Sequence, residues 1–313
     1  MLRNSKFHFL PAELLTFIYI FVTALIILFF KHDNQTITEL LLNRLYIIFG
    51  ICFLAFIDSF KKIWIIRFIR YVYLAILLSY WYPETYRINN ILPNLDYIFA
   101  NIEQHIFGFQ PALVFAINFP QHWFSELMNM GYISYYPIIV VTGLYFYFKD
   151  SKYFKQFFFS VIFSFYVFYL IYILVPTAGP QYYFIADGIE NVRNGLFNDI
   201  GTYFHNNHVL VSDHSNSGFF YDLVETTQLA GERPTAAFPS SHVGISTLIM
   251  IHIFNKKYYH VFMALIPIYL SLITATVYIQ AHYLIDTIAG LLCAFLFFFL
   301  SNKIYNRLFL IKQ

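Results

Sequence analysis

Long apolar segments recur along the whole chain, and they constrain its fold more than any other feature. A helix needs about 20 apolar residues to cross a bilayer, within a range of roughly 17–25. Segments that reach or approach this length lie near residues 12–30, 45–60, 63–82, 127–149, 154–175, 240–254, 258–279 and 282–301, of which the second and sixth are short. Because lipid cannot satisfy backbone polar groups, segments that cross it must be helical or form a closed barrel. We therefore predict an all-α, polytopic membrane protein with about six to eight transmembrane helices.

The composition agrees with a chain embedded in lipid. Only 12% of its residues are charged, whereas about a quarter are charged in a typical soluble domain. The 39 Phe and 27 Tyr residues fit lipid-facing surfaces and interfacial aromatic belts. Cys52 and Cys293 both lie in apolar segments, so we expect small buried side chains rather than a disulfide.

Basic residues predict the orientation. With a cytoplasmic N-terminus and eight spans, 14 of the 19 Lys and Arg residues lie inside, as the positive-inside rule expects. Both termini are then cytoplasmic, and Arg67 and Arg70 are expected to extend towards that surface. Two long polar segments, near 83–126 and 176–239, fall on the extracytoplasmic side. The first is expected to carry an interfacial helix.

The second polar segment ends in a sequence that is typical of an anion site. Residues 233–242 read Arg-Pro-Thr-Ala-Ala-Phe-Pro-Ser-Ser-His, followed directly by an apolar run. Pro and Ser favour the start of a helix, and the first amides of a helix attract phosphate-sized anions. We therefore expect Arg233, Ser240 and Ser241 to bind phosphate, with His242 in the first turn beside it.

A second polar pair begins the last apolar segment. His282 and Asp286 are four residues apart, so they share a helix face. A carboxylate bonded to one imidazole nitrogen raises the basicity of the other, which prepares a nucleophile. Either unit alone is a common pattern. Both units are predicted at the extracytoplasmic ends of helices, which favours a shared catalytic site with His242 as general acid.

These units resemble the Pro-Ser-Gly-His and His-x-x-x-Asp motifs of the type 2 phosphatidic acid phosphatase superfamily, which includes vanadium haloperoxidases. The resemblance extends over roughly residues 63–301 and implies a six-helix catalytic core. It implies that His282 becomes a phosphohistidine, that Asp286 orients it and that His242 is the acid. Members of this superfamily work without a metal, so no metal ligand and no cofactor is expected. The implied domains are an N-terminal transmembrane extension, 1–62, and a catalytic membrane domain, 63–313.

The chain departs from the usual phosphatase motifs in ways that favour head-group transfer. No Lys occurs between Lys155 and Lys256, Thr276 stands where an Arg is usual, and Ser241 replaces Gly. Residues 175–180, Val-Pro-Thr-Ala-Gly-Pro, resemble the first motif of inositol phosphorylceramide synthases, and His-Tyr-x-x-Asp occurs there and in sphingomyelin synthases. Those enzymes transfer a phospho-alcohol head group to ceramide. The resemblance implies a lipid phosphate donor with a ceramide-like acceptor, and the alternative is a lipid or polyprenyl phosphate phosphatase.

Several further patterns stay open at this stage. A transporter would place its ionisable residues near the bilayer midplane, whereas most here lie at segment ends. No nucleic-acid partner is expected.

A polar stripe is either a head-group pocket or an aromatic belt; its members are Asn129, Tyr132, Ser134, Tyr135 and Tyr136. A loosely spaced loop set is a weak zinc candidate, formed by His205, His208, Asp213 and His214. Arg193 either covers the site or faces water.

Overall fold

A computed structural model describes residues 8–61, 63–207 and 217–310, and within these ranges it contains helices and no strand. Six helices are long and apolar enough to cross a membrane: α1 Pro11–Phe29, α2 Asn34–Lys61, α3 Trp64–Asn89, and three further spans at Ser151–Leu174, Tyr259–Tyr278 and Leu284–Leu310. A bent pair of helices raises the number to seven if it forms one span. The prediction of an all-α polytopic membrane protein is confirmed.

The helices after α3, which include those three further spans, follow in chain order. They are α4 Asp96–Phe107, α5 Pro111–Asn118, α6 His122–Ile133, α7 Tyr135–Lys149, α8 Ser151–Leu174, α9 Pro180–Asp187, α10 Ile189–Arg193, α11 Phe219–Gly231, α12 Ser241–Asn255, α13 Tyr259–Tyr278 and α14 Leu284–Tyr305. The chain divides into two compact units, Met1–Glu84 with Ile304–Gln313, and Thr85–Lys303. The sequence-based domain boundary after residue 62 stays a prediction.

The helix bounds differ from the predicted segments where polar residues or proline intervene. Helix α2 begins well before the apolar run, and its first turns are polar. Asp33 caps this start of the helix, because its Oδ1 accepts a hydrogen bond from the Thr36 amide at 2.9 Å. The segment predicted at 127–149 consists of α6 and α7, which are bent by 42°. Pro137 has no N–H to donate to the preceding turn, which favours a break at Ser134. Helix α12 has only 15 residues, in agreement with the short segment predicted there.

Buried ion pairs join the helices of the first unit. Arg70 donates to Glu13 Oε1 at 2.8 Å and contacts Asp58 Oδ2 at 2.5 Å. Its side chain is 1% exposed, so the expectation that Arg70 extends to the membrane surface is wrong. Desolvation of a guanidinium in lipid is offset here by two carboxylates. A second buried pair joins Arg44 to Glu84 at 2.9 Å.

In the second unit, α12 and α14 approach closely because both carry glycine at their contact. A Cβ on Gly290 would lie 2.3 Å from the Ser240 carbonyl oxygen, so no other residue fits there without movement. Small residues allow such backbone approach between membrane helices. The amide of Ser240 also donates to the Asp286 carbonyl at 3.0 Å. This contact brings the N-terminal ends of the two helices together.

The two polar segments fold into short helices. The first forms α4 and α5, and α4 buries Asp96 and Glu103. The described part of the second forms α9, α10 and α11, with a 3-10 turn at Tyr203–His205. Helices of both segments form hydrogen bonds at or just before the start of α14.

Candidate active site

The start of α12 is held by groups of the protein itself. Ser240 caps the helix, and its Oγ accepts from the Val243 amide at 3.4 Å. The Ser241 amide donates to the Tyr172 hydroxyl at 3.1 Å, and that hydroxyl donates to the Pro239 carbonyl at 3.0 Å. Two amides expected to be free for phosphate are therefore already bonded. The first turn offers fewer donors to an anion than the sequence suggested, because capping satisfies them internally.

His282 lies in the short turn between α13 and α14, with a fixed tautomer. Its Nδ1 is 2.8 Å from the Ala237 carbonyl oxygen. Because a carbonyl oxygen only accepts, Nδ1 must carry the proton. In the neutral ring Nε2 then holds a free lone pair. Burial lowers the pKa of His282 to about 4, against opposing effects of the Ala237 hydrogen bond and of Glu232. The ring is therefore neutral near pH 7.

Asp286 lies next to His282 but forms its closest contact elsewhere. Its Oδ2 is 3.8 Å from His282 Nδ1 and accepts a hydrogen bond from the Tyr283 amide at 2.8 Å. Asp286 thus caps α14 from its third residue, as in one half of a capping box. The expected carboxylate hydrogen bond to His282 is replaced by the bond to Ala237. Asp286 stabilises the turn that presents His282.

His242 faces His282 across the site. The centroids of the two rings are 5.7 Å apart, at an interplanar angle of 62°. Two tyrosine rings hold His242 from the other side, Tyr132 at 4.6 Å and Tyr135 at 4.3 Å between centroids. The structure therefore brings together the two histidines that the sequence placed in separate units. Two members of the predicted polar stripe lie against one of them.

The 175–180 segment connects both histidine units through its backbone. The Ala237 amide donates to the Thr177 carbonyl at 3.0 Å, and the Thr177 hydroxyl accepts from the Phe238 amide at 2.9 Å. Gly179 adopts a φ of +88°, and a Cβ there would lie 2.6 Å from the Ala281 carbonyl oxygen. The segment therefore positions Ala237, the hydrogen-bond partner of His282, against the turn that carries His282.

The sequence model of the PAP2 superfamily matches residues 99–300 of this chain. The match covers more than half of the chain and includes both histidine units. The chain belongs to the PAP2 superfamily. Membership supports a lipid phosphatase-like function, with lipid phosphates in a bilayer as substrates, and does not distinguish the inositol phosphorylceramide synthase-like branch. No curated protein and no solved structure matches the chain.

Two acids outside the predicted set contact the candidate site from α4. The carboxylate of Asp96 accepts from the Ala178 and Gly179 amides at 2.5 and 2.9 Å. Glu103 Oε1 accepts from the Ile285 amide at 3.2 Å, in the first turn of α14. Burial raises the pKa of Glu103 to about 7. Their amphipathic helix suggested a membrane surface, whereas its acids bind backbone amides of the site.

Glu232 is a third acid that the motifs did not indicate. It follows α11 directly, and its Oε1 accepts a hydrogen bond from Gln181 Nε2 at 2.7 Å. The backbone amide of Gln181 donates to the backbone carbonyl of Gln280 at 2.8 Å. Gln280 lies two residues before His282. Burial raises the pKa of Glu232, while Gln181 and the nearby His282 act in the opposite direction. The predicted set of site residues contains no acid at this position.

The other predicted residues lie at varied distances from the histidines. Arg233 is half-buried and donates from Nη1 to the Glu232 carbonyl at 2.6 Å. Among the described residues it forms no hydrogen bond with His242 or His282. Arg193 is exposed at the end of α10. His205 is exposed, with Nδ1 3.3 Å from the Asn90 carbonyl. The other three members of the loop set lie outside the described residues: His208, Asp213 and His214.

A methyl group at Gly179 should disturb the site at its backbone support. We expect Gly179→Ala to lower kcat/KM about tenfold or more and to destabilise the fold by roughly 1–3 kcal/mol, because Cβ meets Ala281 and the positive φ disfavours alanine. Turnover and thermal unfolding in detergent measure both effects. Gly143→Ala is the matched control, since nothing lies within 4 Å of a Cβ there. Equal effects in the two variants would contradict the role of Gly179.

Proposed function

We propose that the chain transfers a phospho-alcohol head group between lipids, using His282 as the nucleophile. The observation that carries this proposal is the hydrogen bond from His282 Nδ1 to the Ala237 carbonyl. It leaves Nε2 unprotonated in a buried ring 5.7 Å from a second histidine. A buried neutral imidazole with a fixed tautomer is prepared to attack phosphorus.

The reaction follows from the roles of the two histidines. His282 Nε2 attacks phosphorus and forms an N–P bond while the P–O bond to the lipid leaving group breaks. His242 gives a proton to the leaving oxygen. The acceptor hydroxyl then attacks phosphorus, the N–P bond breaks, and the acceptor proton passes to His242. Arg233, Ser240 and Ser241 are the proposed phosphate-binding residues, and Asp286 maintains the turn that holds His282.

The charge around the site favours a phosphodiester over a phosphomonoester. Between Lys155 and Lys256 the only basic side chains of Lys or Arg type are Arg193 and Arg233, and Arg193 is exposed. A phosphodiester carries one negative charge, whereas a monoester approaches two near neutral pH. One nearby cation matches the diester better. An inositol phosphorylceramide synthase-like reaction, with a ceramide-like acceptor, is the form of transfer that the motifs favour.

Hydrolysis by the same residues is the second candidate, because membership of the PAP2 superfamily supports a lipid phosphatase-like function. The two are separated by incubating purified protein with phosphatidylinositol vesicles, with and without ceramide, and in parallel with phosphatidic acid. Head-group transfer that requires ceramide supports the transferase. Release of free phosphate from phosphatidic acid without ceramide-dependent transfer supports the phosphatase.

The pKa of His282 predicts an unusual acid limb. A histidine of ordinary pKa, about 6.5, is mostly protonated at pH 5.5 and cannot attack. Because burial lowers the pKa of His282 to about 4, Nε2 stays unprotonated at pH 5.5. It gains a proton only as the pH falls through about 4. The pH profile of kcat/KM, which reports groups of the free enzyme, should keep its activity at pH 5.5. An acid limb centred at or above 6.5 would contradict this assignment.

We also propose that the site faces the extracytoplasmic side, with both termini cytoplasmic, on the distribution of Lys and Arg. Residues 1–62 are proposed as a transmembrane extension to a catalytic domain at 63–313. Accessibility of single introduced cysteines to an impermeant thiol reagent in sealed vesicles tests the orientation. Glu190 of α10 is exposed, so a cysteine in its place should react from the extracytoplasmic side. Labelling of that cysteine from the cytoplasmic side would reverse the proposed orientation.

A further inference from the structure

We propose that Glu232 selects lipid donors whose head group carries a cationic nitrogen, such as phosphoethanolamine or phosphocholine. The inference rests on the proposed head-group transfer, since it concerns the donor of the same site. It keeps the ceramide-like acceptor and replaces the inositol head group, which only the motif resemblance suggests, by one that carries an amine. Glu232 belongs to neither histidine unit. The role proposed for it follows from its position directly after α11.

Packing places α11 beside the histidine site. Val224 of α11 is buried in one cluster with Tyr132 and Ala281. Tyr132 stacks on His242, and Ala281 directly precedes His282. Helix α11 therefore packs against the supports of both histidines, and Glu232, which directly follows its last residue, is held near the same site by Gln181.

The carboxylate is oriented but keeps capacity for a ligand. Gln181 donates to Oε1, and Gln181 in turn accepts from Gln228 Nε2 at 3.1 Å. This chain of amides fixes the carboxylate through Gln181, whose backbone is tied to the turn before His282. Gln228 is a second amide partner of Glu232, and because a carboxylate accepts about four hydrogen bonds, about half of its capacity remains. Glu232 is half-buried, which leaves a path for a ligand.

No described residue forms an ion pair with this carboxylate. The neighbouring Arg233 directs Nη1 to the Glu232 backbone carbonyl. The carboxylate interacts electrostatically with His282 and with the hydroxyl groups of Tyr136 and Tyr182. An unpaired, partly desolvated carboxylate is costly unless a cation joins it. A ligand that supplies an ammonium group would relieve that cost.

The surroundings suit a zwitterionic head group. Aromatic rings beside a carboxylate bind ammonium groups through cation–π and ionic attraction, and Tyr132, Tyr136 and Tyr182 each interact electrostatically with Glu232. The phosphate of such a head group would lie at the histidines and its nitrogen at Glu232. A neutral polyol head group gains only hydrogen bonds there, and an additional anion is repelled.

Binding and turnover test the inference separately. Dissociation constants of short-chain phosphatidylethanolamine and short-chain phosphatidylinositol are measured on detergent-solubilised full-length protein and on Glu232→Gln. We expect the wild type to bind the ethanolamine lipid about tenfold more tightly, and the variant to lose that preference. Asp222→Asn, which removes an exposed carboxylate at the other end of α11, is the control and should keep it.

The outcomes distinguish this inference from the proposed function. A wild-type preference that is absent, or that survives in Glu232→Gln, overturns the role of Glu232 even if both lipids are turned over. A loss of preference that also occurs in Asp222→Asn overturns it, since general charge would explain the result. A preference lost only in Glu232→Gln supports the inference, and absence of turnover by the wild type would then contradict the proposed function alone.

Discussion

Replacing His282 by alanine should reduce turnover of a lipid phosphate ester by about a thousandfold or more. The substitution removes the only Nε2 that is both unprotonated and fixed by the Ala237 carbonyl. Steady-state turnover in detergent, together with trapping of a phosphorylated intermediate, measures the effect. His105→Ala is the matched control, because His105 is exposed and bonds only the Asn101 carbonyl of its own helix.

His242→Ala separates the two histidine roles. We expect a large loss with a lipid leaving group and a smaller loss with an aryl phosphodiester, whose leaving oxygen needs no proton. His282→Ala should show no such rescue. Normal turnover in His282→Ala, or equal rescue of both variants, would contradict the assignment of nucleophile and acid. The tyrosine rings packed on His242 should keep their positions in either variant, so protein yield should be maintained.

Arg70→Ala should destabilise the first unit by about 3–5 kcal/mol. The guanidinium neutralises Glu13 and Asp58 inside the membrane-spanning helices. Its removal leaves Glu13 without its cation and leaves Asp58 with only the more distant, partly exposed Arg67, and lipid cannot solvate these buried charges. The measurement is the thermal unfolding midpoint in detergent, together with the yield of monodisperse protein. The charge is expected to matter more than the lost packing.

Two further variants test the electrostatic origin of that effect. Arg67→Ala should change the midpoint little, since Arg67 is 42% exposed and its Nε lies 3.6 Å from Asp58 Oδ2. The triple variant with Glu13→Gln, Asp58→Asn and Arg70→Met should recover most of the stability, because it removes the buried charges together. A loss in the triple variant as large as in Arg70→Ala would indicate that packing, and not charge, is responsible.

Local patterns in the sequence predicted most of the architecture. Apolar segments predicted the spanning helices because lipid permits so few backbone structures. The bounds were less predictable where polar residues continue a helix, as at Asn34 after the Asp33 cap. The pairing of Arg70 with Glu13 and Asp58 was also missed, because the partners are far apart in sequence and each could equally reach the membrane surface.

The sequence by itself determined which two histidine units form the candidate site, and only the tertiary structure decided how their side chains are held. His242 and His282 were identifiable because their residue types, spacing and place at helix ends are all visible in the chain. The partner of His282 is the carbonyl of Ala237, 45 residues earlier, and every residue carries such a carbonyl. Backbone groups leave no sequence signal, so the bonds made by Ala237 and Gly179 appear only once the helices pack. Glu232 gave no signal for the same reason, since its position depends on where α11 ends against the histidine turn.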